Sequence, residues 1–315
     1  MSNAVSGDVG AGAAATAADP LSLLGSGGTS GKAASAKRRR RRVGGRLIPR
    51  LVVTGLSIGA IIWLLPIAYL ISVSLRTPDH AFDPTIISTD TTLANYRAVF
   101  HDNPMLHYFV NSVVVAGIST LVVVAAGATF AYGFTVLKLR YTTAVYLGLL
   151  VTLMVPISSL VIPLGSLLQS LGLVNTYWGL IGPYAALGIP FAVVVLAGFM
   201  HDLPRDVFEA SIIDGVGGLR LLTSIVLPML RPSLIFVAVW QFITSWNEFF
   251  LALTIETKDA MKTLPLIPQQ YSGVYLGNPG ALFAILCLVA GPLILLYLAI
   301  QRWFVGGLLE GAVKG

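Results

Sequence analysis

Six long apolar stretches constrain most strongly how this chain folds. A helix needs about 20 apolar residues to cross the hydrocarbon core of a bilayer, and six stretches reach about that length. They run approximately over residues 51–75, 108–135, 143–168, 178–200, 232–255 and 281–304. Only 11% of the residues are charged, whereas a soluble domain averages about 25%. The pattern predicts an all-α, polytopic membrane protein with six transmembrane helices.

The positions of the basic residues predict the orientation of these helices. The segment before residue 51, the loops 136–142 and 201–231, and the C-terminus carry most of the 20 Lys and Arg residues. The other loops hold Arg76, Arg97, Lys258 and Lys262. Because cytoplasmic loops are enriched in Lys and Arg, both termini and the 201–231 segment are predicted to be cytoplasmic.

The residues before the first span divide into two segments. Residues 1–36 are rich in Gly, Ala and Ser and are predicted to be a disordered cytoplasmic tail. Residues 37–50 are a basic juxtamembrane segment that contains six consecutive Lys and Arg residues. Nuclear import, RNA binding and anchoring to anionic headgroups all fit such a run, and its position beside a membrane helix favours anchoring.

The sequence predicts no cofactor site in this chain. Gly31-Lys32 lacks both the first glycine of a phosphate-binding loop and the Ser or Thr that would follow the lysine. The single cysteine, Cys287, excludes a disulfide framework and a cysteine-based zinc site. We therefore expect neither ATP nor a metal ion to bind here.

Residues 201–231 form a polar interval between two spans. Pro204 suits the first turn of a helix and Gly215 suits a left-handed stop, so the pattern predicts a short helix, followed by a second one that ends near Pro228. Charged residues at i, i+3, i+4 and i+7 predict a wet or partner-binding face: Asp202, Arg205, Asp206 and Glu209. The alternative is an amphipathic helix that lies among the lipid headgroups.

This interval carries a resemblance to a known family. Glu209-Ala210-Ser211, Gly215 and Ile225-Val226-Leu227-Pro228 resemble, at matching spacing, the cytoplasmic EAA loop of ABC importer permeases, with Ser211 where a second alanine is usual. The resemblance implies a type I importer permease fold whose coupling helices sit in a cleft of a partner ATPase. ATP and Mg would bind that partner, and this chain would not be an enzyme. The implied coupling residues are Glu209, Ala210, Ser211, Asp214, Gly215, Ile225 and Pro228.

The fifth span has one polar face. Gln241, Thr244, Ser245 and Glu248 occupy the i, i+3, i+4 and i+7 positions. A charged carboxylate facing lipid costs at least ~2.5 kcal/mol, so Glu248 should face protein or a water-filled path. Aromatic and amide groups nearby suit sugar recognition. Alternatively, the face packs against a partner permease with Glu248 bonded to the backbone or protonated. The candidate translocation-path residues are Gln241, Ser245, Trp246, Asn247 and Glu248.

Further motifs resemble the carbohydrate branch of these permeases, in particular its maltose-transporter-like subunit of six spans. They are Asn175 to Leu180, Ile189-Pro190-Phe191, Trp246-Asn247-Glu248-Phe249, Gln301 to Leu308 and Gly311 to Gly315. The resemblance implies that the tail 305–315 reaches between two ATPase subunits. The implied tail residues are Gly311, Val313, Lys314 and Gly315. It also implies that much of the sugar contact lies in a second permease.

The expected function is that of a permease subunit for a sugar or oligosaccharide in the bacterial inner membrane. Its expected partners are a second, homologous permease, an ATPase dimer, an extracytoplasmic solute-binding protein, membrane lipid and the sugar, and no nucleic acid. Three alternatives remain open: an ABC permease for a glycerol phosphodiester or another small polar solute, an ion-coupled carrier that uses Glu248, and a membrane scaffold or sensor. Prolines in or beside the spans predict kinks or mobile helices: Pro66, Pro156, Pro163, Pro183, Pro190 and Pro292.

Overall fold

The computed structural model describes residues 30–77, 80, 83, 85, 90–137, 140–272 and 278–312, with side chains from residue 51 to residue 301 except Arg205 and Ile212. The regular structure of these residues is almost entirely helical. The α-helices are α1 (Ser30–Ser74), α2 (Ala94–Asp102), α3 (Met105–Thr135), α4 (Thr142–Leu153), α5 (Ile157–Ser170), α6 (Tyr177–His201), α7 (Arg205–Ile213), α8 (Gly218–Leu221), α9 (Leu227–Met229), α10 (Arg231–Asn247), α11 (Phe250–Ile255) and α12 (Pro279–Ala312). A π-helical turn, Leu222–Val226, joins α8 to α9, and two 3₁₀-helices, Asp259–Met261 and Leu264–Tyr271, follow α11.

The structure has four to six candidate spans where the sequence predicts six. Four helical stretches are long and apolar enough to cross a membrane, namely Leu51–Ser74, Met105–Thr135, Tyr177–His201 and Pro279–Gln301. Two bent pairs of helices pass the same test: α4 with α5, at 100°, and Gly218–Met229 with α10, at 82°. The described part of the chain therefore has up to six spans if each bent pair counts as one, and the all-α prediction is confirmed.

Helix α1 begins before the first predicted span. Of the predicted tail, residues 1–29 lie outside the described residues, whereas residues 30–36 and the basic segment 37–50 continue as helix into the span. Ala, Lys and Arg are good helix formers, which accounts for this early start. The chain divides into two units, residues 1–63 and residues 64–315.

The third predicted span is two helices rather than one. Helix α4 ends at Leu153, and α5 begins at Ile157 with Pro156 as its extended N-cap residue (φ −68°, ψ 129°). Proline lacks an N–H group and disfavours a helical conformation at the residue before it. The other five predicted prolines do not break their helices. Pro66 lies inside α1, Pro163 inside α5, Pro183 and Pro190 inside α6, and Pro292 inside α12.

The fifth predicted span also breaks, at a site without proline. Helix α10 ends at Asn247, Glu248 is extended (φ −68°, ψ 125°), and α11 runs from Phe250 to Ile255. The predicted continuous helix over residues 232–255 is therefore corrected to two helices. Glu248 does not continue the helical face of Gln241 and Ser245, although it follows them at helical spacing.

Helices α3 and α6 form the central packed pair of the second unit. Gly127 of α3 meets Ala192 of α6 so closely that a Cβ built on Gly127 would lie 2.6 Å from the Ala192 Cβ. Ala192 and Leu196 are fully buried in the hydrophobic cluster that surrounds this helix crossing. Gly127 and Ala131 are small residues at helical spacing, a sequence pattern that permits close helix contact, and Ala131 is also fully buried in the same cluster.

The loop after α11 is bound to α3 and α6 by one buried amide. The Asn111 side chain of α3 donates to the carbonyl oxygens of Ala260 and Lys262, at 3.1 and 2.9 Å. Tyr177, at the start of α6, donates its hydroxyl to Asn111 Oδ1 at 2.7 Å. Asn111 therefore fixes the 3₁₀ segment, which lies in a loop predicted to be outside, to two spans.

Candidate functional site

The 201–231 segment is a helix, a tight stop and a second helical run. Helix α7 starts at Arg205, directly after Pro204, and ends before Gly215, which adopts the left-handed conformation at φ 74°. The Val216 N–H bonds to the Ser211 carbonyl at 3.0 Å. This i to i−5 bond across a left-handed glycine is a Schellman stop, as predicted for Gly215. Asp202 lies outside α7, as the C-cap residue of α6, so the predicted charged face is shorter by one turn.

Most of the predicted coupling residues are exposed. Glu209, Ala210, Asp214, Gly215 and Pro228 are accessible on the described surface of this segment. Ile213 and Leu219 are also exposed, at 84% and 78%. An exposed surface that combines carboxylates with large apolar side chains is typical of a protein contact.

Ser211 and Ile225 anchor this surface instead of forming it. Ser211 is buried, and its hydroxyl donates to the Val207 carbonyl at 2.6 Å. Ile225 is half-buried against the cluster that joins α3 and α6. In addition, the Tyr132 hydroxyl of α3 donates to the Gly218 carbonyl at 2.9 Å. The segment is thus bonded and packed onto the two central helices.

A cavity of about 260 Å³ lies between α4, α5, α6, α10 and α11. Of the candidate translocation-path residues, Gln241, Ser245 and Glu248 line it. Trp246 does not: it is buried among Phe109 and Phe242 and donates its indole N–H to the Val289 carbonyl at 3.2 Å. Asn247 is exposed outside the lining and donates to the Ile243 carbonyl at 3.0 Å.

The polar side chains of the cavity bond to one another and to nearby backbone groups. Glu248 accepts from the Tyr184 hydroxyl at 2.6 Å and from the backbone N–H groups of Leu251 and Ala252 at 2.9 and 3.1 Å. Gln241 donates to the Ser245 hydroxyl at 2.9 Å and to the Tyr184 carbonyl at 3.2 Å. Glu248 is therefore bonded to the backbone of α11, and the same carboxylate lines the cavity.

Helix α6 contributes lining residues that the candidate set omitted. Tyr184, Gly188 and Phe191 fall on one face of α6, and Phe191 stacks on Trp240 with ring centroids 5.2 Å apart. A side chain at Gly188 would collide with the amide of Gln241. The i, i+4, i+7 spacing of these three residues was a usable signal, but α6 is apolar on every side, which concealed its cavity face.

The predicted C-terminal contact falls largely outside the described residues. Val313, Lys314 and Gly315 lie beyond them, and the backbone at Gly311 belongs to α12. Among the described residues, no group of three or more His, Cys, Asp or Glu residues is placed to hold a metal ion.

Comparison with known proteins identifies the family. Residues 124–309 match the model of the "Binding-protein-dependent transport system inner membrane component" family. The trehalose/maltose transport system permease protein MalG of Thermococcus litoralis is 33% identical over 269 residues, covering 84% of this chain and 96% of that protein. The trehalose transport system permease protein SugB of Mycobacterium tuberculosis is 31% identical over 254 residues, covering 80% and 93%.

A solved structure supports the same fold. A chain of a bacterial ABC transporter involved in the import of the acidic polysaccharide alginate superposes with a TM-score of 0.70 at 19% identity, covering 83% of this chain and 98% of that one. The fold, the family match over more than half of the chain and the two relatives agree. The chain belongs to the family of inner membrane components of binding-protein-dependent transport systems, the permease subunits of ABC importers.

Proposed function

We propose that this chain is the permease subunit of an importer for a sugar or oligosaccharide. It forms half of the translocation path together with a second, homologous permease. It binds no nucleotide and catalyses no reaction, because ATP and Mg act on the partner ATPase dimer. The names of its relatives, which transport trehalose, maltose or diacetylchitobiose, support this solute class.

The observation that carries the coupling role is the exposed and anchored surface of α7. Glu209 and Ala210 face outward on α7, while Ser211 is buried and Gly215 ends the helix at a fixed angle. A surface that must transmit force needs this combination, since an exposed face without an anchor would yield to the partner's motion. We assign the exposed residues Glu209, Ala210, Asp214, Gly215 and Pro228 to ATPase contact. We assign Ser211 and Ile225 to holding that surface in place.

Transport follows from two conformations of the assembly. Closure of the ATPase dimer carries the α7 surface inward, and the spans then open toward the binding protein that releases the solute. A ligand shifts such an equilibrium only through its different contacts with the two states. Gln241, Ser245 and Glu248 then line the path of the solute. Trp246 and Asn247 lie outside the cavity and stabilise the helix that carries this lining.

The proposal also covers the topology of the chain and its further partners. The chain spans the bacterial inner membrane with both termini in the cytoplasm. A solute-binding protein docks outside, and the tail residues Gly311, Val313, Lys314 and Gly315 approach the ATPase. Membership of a binding-protein-dependent family opposes an ion-coupled carrier and a scaffold.

Charge reversal at Glu209 tests the coupling role. Glu209→Arg places a cation in the ATPase contact, so we expect solute-stimulated ATP hydrolysis by the purified importer to fall at least about tenfold, a loss of about 1.4 kcal/mol of coupling. Asp102→Arg, an exposed reversal at the end of α2, is the control and should keep the stimulation. Normal stimulation in Glu209→Arg would contradict the proposal.

A further inference from the structure

The cavity lies at the breaks of the third and the fifth predicted spans. Leu153 and Ile157 flank the interruption between α4 and α5, and Ser245 and Leu251 flank the one between α10 and α11. All four residues line the same space. The cavity is therefore built from the ends of half-helices, which is how many transporters form a solute site within the membrane.

The half-helix α11 has a carboxylate of this chain, Glu248, bound at its N-terminus. The N–H groups of Leu251 and Ala252, in the first turn of α11, both donate to the carboxylate of Glu248. Exposed N–H groups at a helix start attract negative charge. Here Glu248 already occupies the N–H groups of Leu251 and Ala252, so these two donors are not available to an anionic group on a solute.

The negative charge is not balanced by a cation in the cavity. Glu248 is the one charged side chain among the described residues that line it. Its three donors, the Tyr184 hydroxyl and two backbone N–H groups, are neutral. In all three bonds the carboxylate oxygens of Glu248 are the acceptors. In surroundings of low dielectric constant, such a charge acts over several ångströms.

The rest of the lining suits an uncharged solute that carries hydroxyl groups. Trp240 is 51% exposed and stacks on Phe191, so part of its ring surface is available to sugar C–H groups. Gln241 and Ser245 are bonded to each other beside it and can exchange bonds with hydroxyl groups. Neither provides a positive charge to hold a phosphate or a carboxylate.

We propose that Glu248 is a specificity-determining residue, whose carboxylate makes the cavity pass uncharged glycosides and repel anionic ones, such as uronates and glycerol phosphodiesters. This inference rests on the proposed function, because it assumes that the solute passes this cavity. Within that function, it narrows the solute class from small polar molecules to neutral sugars.

Cysteine labelling with charged reagents measures the field directly. Thr244→Cys places a thiol in the cavity lining, and Gln270→Cys places one at an exposed position of the 3₁₀-helix Leu264–Tyr271, outside the spans and the lining. Both variants are made in a Cys287→Ala background. The purified importer is treated with anionic sulfonatoethyl methanethiosulfonate or cationic trimethylammonioethyl methanethiosulfonate. The ratio of the anionic to the cationic labelling rate at Gln270→Cys corrects for intrinsic reactivity.

We expect this ratio to be at least about tenfold lower at Thr244→Cys than at Gln270→Cys, as for a nearby unit charge at an effective dielectric constant of about 20. Glu248→Gln keeps a carbonyl oxygen to cap α11 and should bring the two ratios together. Tyr184→Phe removes one donor but keeps the charge, so the low ratio should persist. Equal ratios with Glu248 intact, or no labelling of Thr244→Cys by either reagent, would overturn the inference.

Uptake of radiolabelled trehalose and maltose by the intact importer separates this inference from the proposed function. A low ratio that depends on Glu248, found in an importer that transports neither sugar, would leave the field established and count against the proposed sugar class. Transport of either sugar together with equal labelling ratios would support the proposed function and refute the role of Glu248.

Discussion

Two carboxylates near the end of the fifth predicted span differ in their hydrogen bonds. Glu248 accepts three hydrogen bonds, two of them from the backbone of α11. Glu256, directly after α11, is 3% exposed, and its Oε2 atom has no hydrogen-bond partner within the described residues. Burial raises the pKa of Glu256 to about 7. The first carboxylate therefore organises the helix break, whereas the second is a cost to the fold at neutral pH.

Glu256 should make stability depend on pH. Between its ordinary pKa of 4.5 and its raised pKa of about 7, the folded state holds a proton that the unfolded state has lost, so stability falls as pH rises through this window. Glu256→Gln mimics the protonated form. We expect it to stabilise the detergent-solubilised protein by roughly 1–3 kcal/mol at pH 8 and by much less at pH 5.

Thermal unfolding at the two pH values checks this expectation. Glu209→Gln is the matched control, because it makes the same substitution at an exposed position. An equal gain from Glu256→Gln at both pH values would show that the raised pKa of Glu256 does not govern the pH dependence.

At the scale of elements, the contact between α3 and α6 could be predicted from the sequence, whereas the helix break after Asn247 could not. The close contact of α3 and α6 was visible as small residues at helical spacing, and Gly127 does meet Ala192. The break after Asn247 was not visible, because residues 232–255 read as one apolar run with no proline at the break. What stabilises the break is the Glu248 cap and the Tyr184 hydroxyl, and the latter comes from a helix distant in sequence.

Helix packing at Gly127 can be tested with a matched pair. Gly127→Ala would bring a Cβ to 2.6 Å from that of Ala192, whereas the same change at Gly117 in the same helix meets nothing within 4 Å. We expect Gly127→Ala to destabilise the protein by about 1–3 kcal/mol. Gly117→Ala should be neutral or stabilise by up to about 1 kcal/mol through helix propensity. Similar unfolding temperatures for the two variants would contradict the proposed tight crossing.

At the scale of the whole molecule, α6 connects the two functional regions of the second unit. Its cluster partners include Leu221 and Val226 of the 201–231 segment, and Tyr132 adds a bond from α3 to Gly218. The same helix presents Tyr184 and Phe191 to the cavity. We infer that displacement of the α7 surface reaches the cavity by rigid movement of α6.

The sequence predicted the structure of the 201–231 segment more completely than it predicted the lining of the cavity. Charge distribution and turn residues located the 201–231 segment, its two helical parts and the stop at Gly215, since these depend on local chemistry. Trp246 was expected at the translocation path, but it packs against Phe109 and Phe242 on the other side of α10. Which side of an apolar helix faces a cavity depends on its neighbours in space, and local sequence carries little information on that.

The most direct test of the central claim is to purify the tagged chain from native membranes in mild detergent and to identify the copurifying proteins by mass spectrometry. Our account predicts an ATPase and a second, homologous permease in stoichiometric amounts, together with a solute-binding protein whose thermal stability rises with a neutral sugar. Recovery of the chain alone or only as a homo-oligomer, also after crosslinking in the membrane, would contradict it.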